Sequence, residues 1–308
     1  MKTVALGFLS LFCTATVLHA QNIVLTNDDG WAVAQIRAQF NALDAQGFNV
    51  VLSAPAQDQS GTGSSSATPT PLTEPCEFDS CPTGSPAEGF NASDPRLNYV
   101  NSFPVDSVKF AIQTLAPQFF SGAGPDLVVS GPNVGQNTEF SVLGSGTVGA
   151  ACEAAKEGIP AIAFSGTGTQ HEAWTDLTDD PTSPSILNAL TNAALANRVV
   201  GALFAQAPAS PPLLPGGVIL NVNFPTLNDT CTEDDVQFVF TRVFPALLPI
   251  DVNTCNNGGK LPDESTVVGA GCFASVSVVD AVLKLDVLAP TQSDVLNRLS
   301  KLGFVCFP

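Results

Sequence analysis

Two carboxylates stand side by side at Asp28 and Asp29, directly after the apolar run Ile23-Val24-Leu25 and just before Gly30. A run that is apolar throughout and then turns abruptly polar is how a buried parallel strand ends. In an open α/β sheet, ligands sit beyond the carboxyl ends of the strands. Adjacent carboxylates repel each other there, and burying them costs free energy unless a cation accompanies them. A hard divalent metal is the simplest such cation. Asn, Asp and Gly also favour turns, so the motif taken alone reads equally well as a plain turn. Two later loops carry the same kind of chemistry. One holds Asp58, Gln59, Ser60 and Gly61; the other holds Ser130, Gly131, Asn133, Gly135 and Asn137. If the sheet is parallel, all three loops share one edge and pool carboxylate, hydroxyl and amide oxygens. That set suits magnesium or manganese, ahead of calcium. It does not suit zinc, because beyond the leader the chain has one histidine, His171, and its cysteines are expected to be bridged. Gly144-Ser145-Gly146-Thr147 then opens a helix. Free N–H groups at a glycine-rich helix start bind phosphate, although simple N-capping by Ser145 or Thr147 explains the same residues.

The elements that must carry these loops alternate between strand and helix. Val33, Ile36, Phe40 and Leu43 repeat at helical spacing, and Gly47 ends that helix. Residues 48–54 read as the next strand. A polar loop rich in Gly, Ser, Thr and Pro runs from 56 to about 95. Val105, Val108, Ile112 and Leu115 mark a second helix, followed by a strand over 126–130. A helix over 147–157 and a strand over 160–165 come next. Ser183-Pro184 starts a long helix that continues to about 204, and a strand covers 218–222. This repetition predicts a doubly wound parallel sheet. After about 244 the pattern breaks into short apolar alternation over 274–288 and a last helix over 295–302. We expect an α/β domain over 21–245 and a C-terminal hairpin-and-helix appendage over 246–308.

Residues 1–20 have a basic start at Lys2, a mostly apolar stretch and a small-residue end at Leu18-His19-Ala20. That is a secretory leader, too short for a membrane anchor. A secreted, extracellular protein is expected, with mature residues starting at Gln21. Eleven basic residues against 28 acidic ones give a formal charge of −17. With no Lys/Arg cluster, nucleic-acid polymers are excluded as partners, and no later stretch suits a membrane span. An anionic small substrate would need a local positive source in so acidic a chain. Past the leader, seven cysteines fit an oxidising compartment: Cys76, Cys81, Cys152, Cys231, Cys255, Cys272 and Cys306. Cys152 sits in a small-residue helical stretch and reads as a buried free thiol. The other six can form three bridges. Neighbouring pairs are Cys76 with Cys81, Cys231 with Cys255, and Cys272 with Cys306, although spacing does not fix connectivity. Asn91 and Asn228 are candidate glycosylation sites.

Together these residues resemble the SurE (survival protein E) family of metal-dependent nucleotidases and acid phosphatases. The likeness rests on the run 23–30 (Ile-Val-Leu-Thr-Asn-Asp-Asp-Gly), on Ala54-Pro55 with Gln59-Ser60-Gly61, and on 125–133 (Pro-Asp-Leu-Val-Val-Ser-Gly-Pro-Asn) with Gly135 and Asn137. It continues through 145–151 (Ser-Gly-Thr-Val-Gly-Ala-Ala), 158–162 and 220–225 (Leu-Asn-Val-Asn-Phe-Pro). The resemblance covers about residues 22–225 and implies a Rossmann-like fold. It implies one divalent metal on Asp28, Asp29, Ser60 and Asn133, with Asp28 and Asp29 also serving catalysis. It implies phosphate contacts from Asn137 and from Ser145, Gly146 and Thr147. The implied reaction is hydrolysis of phosphate monoesters, such as nucleoside 5′- or 3′-monophosphates, by metal-activated water. A homodimer built on the tail is implied as well. Four departures stand out. Ser64 occupies a position where many members carry histidine, Ser102-Phe103-Pro104 replaces Gly-Thr-Pro before the second helix, Pro132 replaces an isoleucine, and the tail is similar only to the cysteine-containing ends of secreted fungal members. A catalytically weak or inactive binding protein on the same scaffold is the rival reading. A dinucleotide-dependent enzyme is disfavoured because Gly-x-Gly-x-x-Gly is missing after the first strand. His171 reads as an exposed loop histidine ahead of a replacement general acid, and Trp31 as a packing residue ahead of one that stacks on a nucleobase.

Overall fold

Strand β1 (Asn22–Thr26) is buried along its whole length. Its side chains point alternately to two cores, as a strand's period of two requires. Ile23 and Leu25 enter the core shared with Ile36, Phe40, Leu43, Leu195 and Val199. Val24 enters the opposite one with Val51, Val108, Val148 and Cys152. Full burial of side chains such as Leu25 stabilises the fold by roughly 1.5–3 kcal/mol each. The protein is described by a computed structural model that covers residues 21–206 and 212–308. The expected leader, 1–20, lies outside the described residues.

The helices beneath these two faces are α1 (Ala34–Ala45) and α7 (Pro184–Ala205) on one side, and α2 (Pro104–Phe110) and α5 (Gly146–Lys156) on the other. Helix α1 buries Ile36, Phe40 and Leu43, spaced as one helical face. Gly47, at φ +86°, ends it with its N–H on the Asp44 carbonyl. Helix α7 starts as its sequence demands: Ser183 caps the Ile186 N–H and Pro184 occupies the first turn. Shorter helices are α3 (Ala116–Phe119), α4 (Ser141–Gly144), α6 (Asp176–Asp179), α8 (Glu264–Gly269) and α9 (Ala289–Arg298). No helix among the described residues is long and apolar enough to cross a membrane.

The other strands are β2 (Asn49–Pro55), β3 (Glu88–Asn91), β4 (Asp94–Val100), β5 (Leu127–Val134), β6 (Ala161–Gly166), β7 (Val218–Phe224), β8 (Gln237–Thr241) and β9 (Phe273–Asp280). Among the described residues they form one sheet in the order β3-β4-β2-β1-β5-β6-β7-β9-β8. The six strands from β4 to β7 in that order run parallel. The chain winds outward from β1 to β4, then returns beside β1 as β5 and winds the other way. The β1/β5 junction is therefore the switch point where the doubly wound plan opens a crevice.

Three features differ from the sequence expectation. The long loop 56–95 ends in the β3–β4 hairpin, which extends the sheet. Beyond 244 there is no separate hairpin: β9 pairs antiparallel with β7, and β8 pairs parallel with β9, so the C-terminal stretch completes the same sheet. The disulfides also differ from the neighbouring pairing. Cys76–Cys81 forms as expected, but the other two bridges are Cys231–Cys272 and Cys255–Cys306. The sheet explains the exchange. Pairing of β8 with β9 brings Gln237 opposite Phe273, which sets Cys272 beside the start of β8, close in sequence to Cys231. Cys152 is free and buried, and burial pushes its thiol up to about 11.

Candidate active site

Asp28 and Asp29 follow β1 and Asn133 ends β5, so all three meet at the switch point. Both aspartates are buried: Asp28 is 2% exposed and Asp29 is fully buried. The start of α5 converges on Asp28. The Thr147 hydroxyl donates to Asp28 Oδ1 and also approaches Asn133 Oδ1 at 3.2 Å. One donor thus gathers a carboxylate and an amide oxygen around a single point. Gly146 permits the approach, since a Cβ there would lie 2.8 Å from the Asp28 Cβ. Ser145 caps α5 by accepting from the Val148 N–H at 3.1 Å. Asp29 is held from two other directions. Its Oδ2 accepts from the Val134 N–H at 3.0 Å, and its Oδ1 lies 3.0 Å from His171 Nε2.

The second loop closes over this floor. The Gln59 N–H donates to the Asp28 carbonyl at 2.8 Å, which ties the loop down. Asp58 accepts from the Ser60 N–H at 2.8 Å, and Ser60 stands at the exposed lip of the crevice. Gly63 donates to the Gly144 carbonyl at 2.8 Å, joining this loop to the start of α5. Ser64, which the resemblance sets against a histidine, is exposed. Asn137 is fixed between β6 and β7. Its N–H donates to Asn223 Oδ1, its amide donates to Ser165 Oγ, and its carbonyl accepts from Asn221 and Asn223.

His171 is an exposed loop residue, as read, yet it is drawn into the site: Nε2 faces Asp29, and Nδ1 lies 3.7 Å from Asp58 Oδ2. Its loop reaches the site by pairing with the chain just past the aspartates. Ala34 donates to the Glu172 carbonyl at 2.8 Å, and Trp174 donates to the Ala32 carbonyl at 2.9 Å. Glu77 was not foreseen at all. The Cys76–Cys81 loop carries it to the site, where Oε2 is buried with no hydrogen-bond partner, beside Gly30. Trp31 packs, as expected, 5.2 Å from the Tyr99 ring and under Arg37. Asn91 lies at the β3–β4 turn and Asn228 on an exposed turn, both accessible to solvent.

The electrostatics follow from crowding acids at a buried strand end. Burial, then the neighbouring Asp29 charge, raises Asp28 to about 7, against the pull of its bonds from Thr147. Burial raises Asp29 as well, while His171 opposes the rise. Glu77 rises to about 7, first by burial. His171 is pushed up to about 9, chiefly by its hydrogen bond to Asp29. The residues fit a divalent cation. Two buried carboxylates, the Asn133 amide oxygen and a loop hydroxyl are hard donors, and the protein's own cations do not balance the acids. Donor atoms of Asp29, Asp58 and His171 also lie within 4.8 Å of one another, so Asp29 belongs to two adjacent donor groups.

A family model described as "Survival protein SurE" matches residues 23–246. An acid phosphatase of Yarrowia lipolytica is 35% identical over 93% of this chain and 87% of its own length. A 5′-nucleotidase SurE of Lawsonia intracellularis is 34% identical over 67% of each chain. Among solved structures, the SurE protein from Aquifex aeolicus shares the fold. Its TM-score is 0.56 at 23% identity, covering 85% of this chain and 94% of that one.

Proposed function

The chain belongs to the SurE family, and on that premise we infer that it is a phosphoric monoester hydrolase. We propose that it is secreted, depends on a divalent metal and acts on nucleoside monophosphates or similar small phosphate esters. The observation that carries the reading is the buried Asp28–Asp29 pair at the switch point, joined through Thr147 to Asn133 and to the start of α5. Asp28, Asp29 and Asn133 are positioned to hold the cation, with Ser60 closing from the lip. A divalent ion bound there lowers the pKa of water and withdraws charge from a phosphoryl oxygen.

The remaining work falls to the chain itself. The α5 start offers a helix N-terminus, with Gly146 close to Asp28, and Asn137 is held by Ser165, Asn221 and Asn223 of β6 and β7. The Thr147 hydroxyl is occupied in orienting Asp28 and Asn133, so its service to phosphate comes through its position in the helix start. His171, held protonated by Asp29 and Asp58, supplies the local positive charge that an anionic substrate needs in a chain of net charge −17. Its Nε2 proton is engaged by Asp29, while the Nδ1 proton, 3.7 Å from Asp58 Oδ2, is the one free to meet a leaving-group oxygen. Three disulfides support an extracellular setting. The direct experiment is an assay of the purified mature protein on a panel of phosphate esters, with and without chelator. Hydrolysis that chelator abolishes and magnesium or manganese restores is expected. Hydrolysis indifferent to chelator would remove the metal from the reading.

A further inference from the structure

Residues past the end of the family match at 246 reach back to the segment 137–147. Glu264 opens α8 and is fully buried. It meets Asn221 of β7, whose Nδ2 carries two hydrogens. Asn221 Nδ2 lies 2.8 Å from the Asn137 carbonyl and 2.9 and 3.0 Å from the two carboxyl oxygens of Glu264. A reversed amide would set Oδ1 against a carbonyl and a carboxyl, so Glu264 fixes the direction in which Asn221 faces. Asn223, two residues along the same strand face, holds both the N–H and the carbonyl of Asn137. Burial pushes the Glu264 carboxyl well above its ordinary range, while bonds from Ser277 and Asn221 pull against that rise. A neutral carboxyl satisfies both neighbours, accepting from Asn221 and sharing a hydrogen with Ser277. At a second point, buried Lys284 donates from Nζ to the Leu143 carbonyl at 3.1 Å, two residues before the α5 cap Ser145.

We propose that the C-terminal segment positions the phosphate-binding residues. Glu264 sets Asn137 through Asn221, and Lys284 sets the α4–α5 corner that presents Ser145 to Thr147. Neither touches substrate; both are positioning residues. The inference rests on the phosphate roles given above to Asn137 and to the α5 start. The test uses the full mature protein and inorganic phosphate as a competitive inhibitor, alongside kcat and KM for p-nitrophenyl phosphate. E264A should raise KM and the phosphate inhibition constant together by roughly tenfold, about 1.4 kcal/mol. E264Q should stay within about twofold of wild type, because its amide offers the same acceptor and donor. K284M should raise the phosphate constant by roughly threefold, since one held carbonyl is released. A folded E264A with a wild-type phosphate constant overturns the proposal, and so does an E264Q as impaired as E264A. If E264A does not fold, K284M decides, and an unchanged constant there overturns it. Wild-type protein that neither hydrolyses phosphate esters nor binds phosphate overturns the phosphate-ester reading instead.

Discussion

Asp28→Asn and Asp29→Asn each keep the shape of the side chain and remove one negative charge from the crevice. Cation affinity should fall, and turnover with it, by at least about a hundredfold, roughly 2.7 kcal/mol of barrier. Folding should survive, because each change relieves repulsion between buried carboxylates. Phosphatase assays and thermal melts with and without magnesium or manganese measure both effects, and full activity in either variant refutes the assignment. His171→Gln tests the other side of Asp29. Gln can still hydrogen-bond Asp29 but carries no charge, so KM for phosphate esters should rise by roughly tenfold through loss of one charge-assisted contact. A KM equal to wild type would return His171 to a purely local role. The aspartates were legible because strand and turn lie together in one short run. His171 was not, since its partner is 142 positions away and its loop is delivered by a lone β-bridge between Val33 and Ala173. Glu77 was hidden for the same kind of reason: a disulfide loop within a polar stretch gives no sign of which way its acid points.

The helix that presents Ser145 and Gly146 depends on close backbone packing. A Cβ at Gly149 would stand 1.9 Å from the Gly63 carbonyl oxygen, a backbone atom that cannot swing aside. Gly149→Ala should therefore force α5 away from the 59–64 loop, destabilise the fold by about 1–3 kcal/mol and lower activity by shifting Thr147 off Asp28. Urea unfolding and kcat measure the two effects together; a variant as stable and active as wild type would show the contact to be slack. At this scale most of the fold was legible. The periodicity of α1, the Ser183-Pro184 start of α7 and the apolar runs of β1, β5, β6 and β7 each announce themselves within a dozen residues. The strands next to the two sheet edges did not. β4 begins Asp94-Pro95-Arg96, which reads as loop, and its strand character comes from pairing with β2. The place of β9 between β7 and β8 was likewise out of reach. An antiparallel insertion after a long excursion is settled by which sheet edge remains free, and no local pattern records that.

For the whole molecule, the C-terminal segment leaves an apolar surface that one chain does not cover. Leu247 is 86% exposed and Val282 72%, and Leu248, Leu283 and Leu288 are exposed with them. Ala289 hydrogen-bonds the Ile250 carbonyl and Asp286 accepts from the Val243 and Phe244 N–H groups, so residues 282–289 run beside residues 243–250. A patch of this kind marks an interaction face. We expect an isologous homodimer through it, read as twice the monomer mass by light scattering at micromolar concentration. Leu247→Glu with Val282→Glu should shift the mass to monomer. The buried acids make a second demand on the whole chain, visible in stability against pH. Asp28 rises from 3.8 to about 7 and Glu77 from 4.5 to about 7, both mainly by burial, and Glu264 rises well above 4.5 for the same reason. The folded protein therefore holds these protons more tightly than the unfolded chain, so stability falls as pH climbs from about 4 to about 7. His171 adds to the trend, because its pKa rises from 6.5 to about 9 on folding, chiefly through Asp29. Its contribution is complete below 6.5 and is lost as pH climbs through 9. With chelator present, the melting temperature should thus decline steadily from pH 5 to pH 8.5, and Asp28→Asn should flatten the lower part of the slope. Magnesium or manganese added at pH 8 should restore much of the loss, since a cation that binds only the folded site stabilises by mass action. A melting temperature that holds level or rises from pH 5 to pH 8.5 in chelator would mean that the acids of this crevice are not strained by their burial, and the case for a cation among them would lose its physical basis.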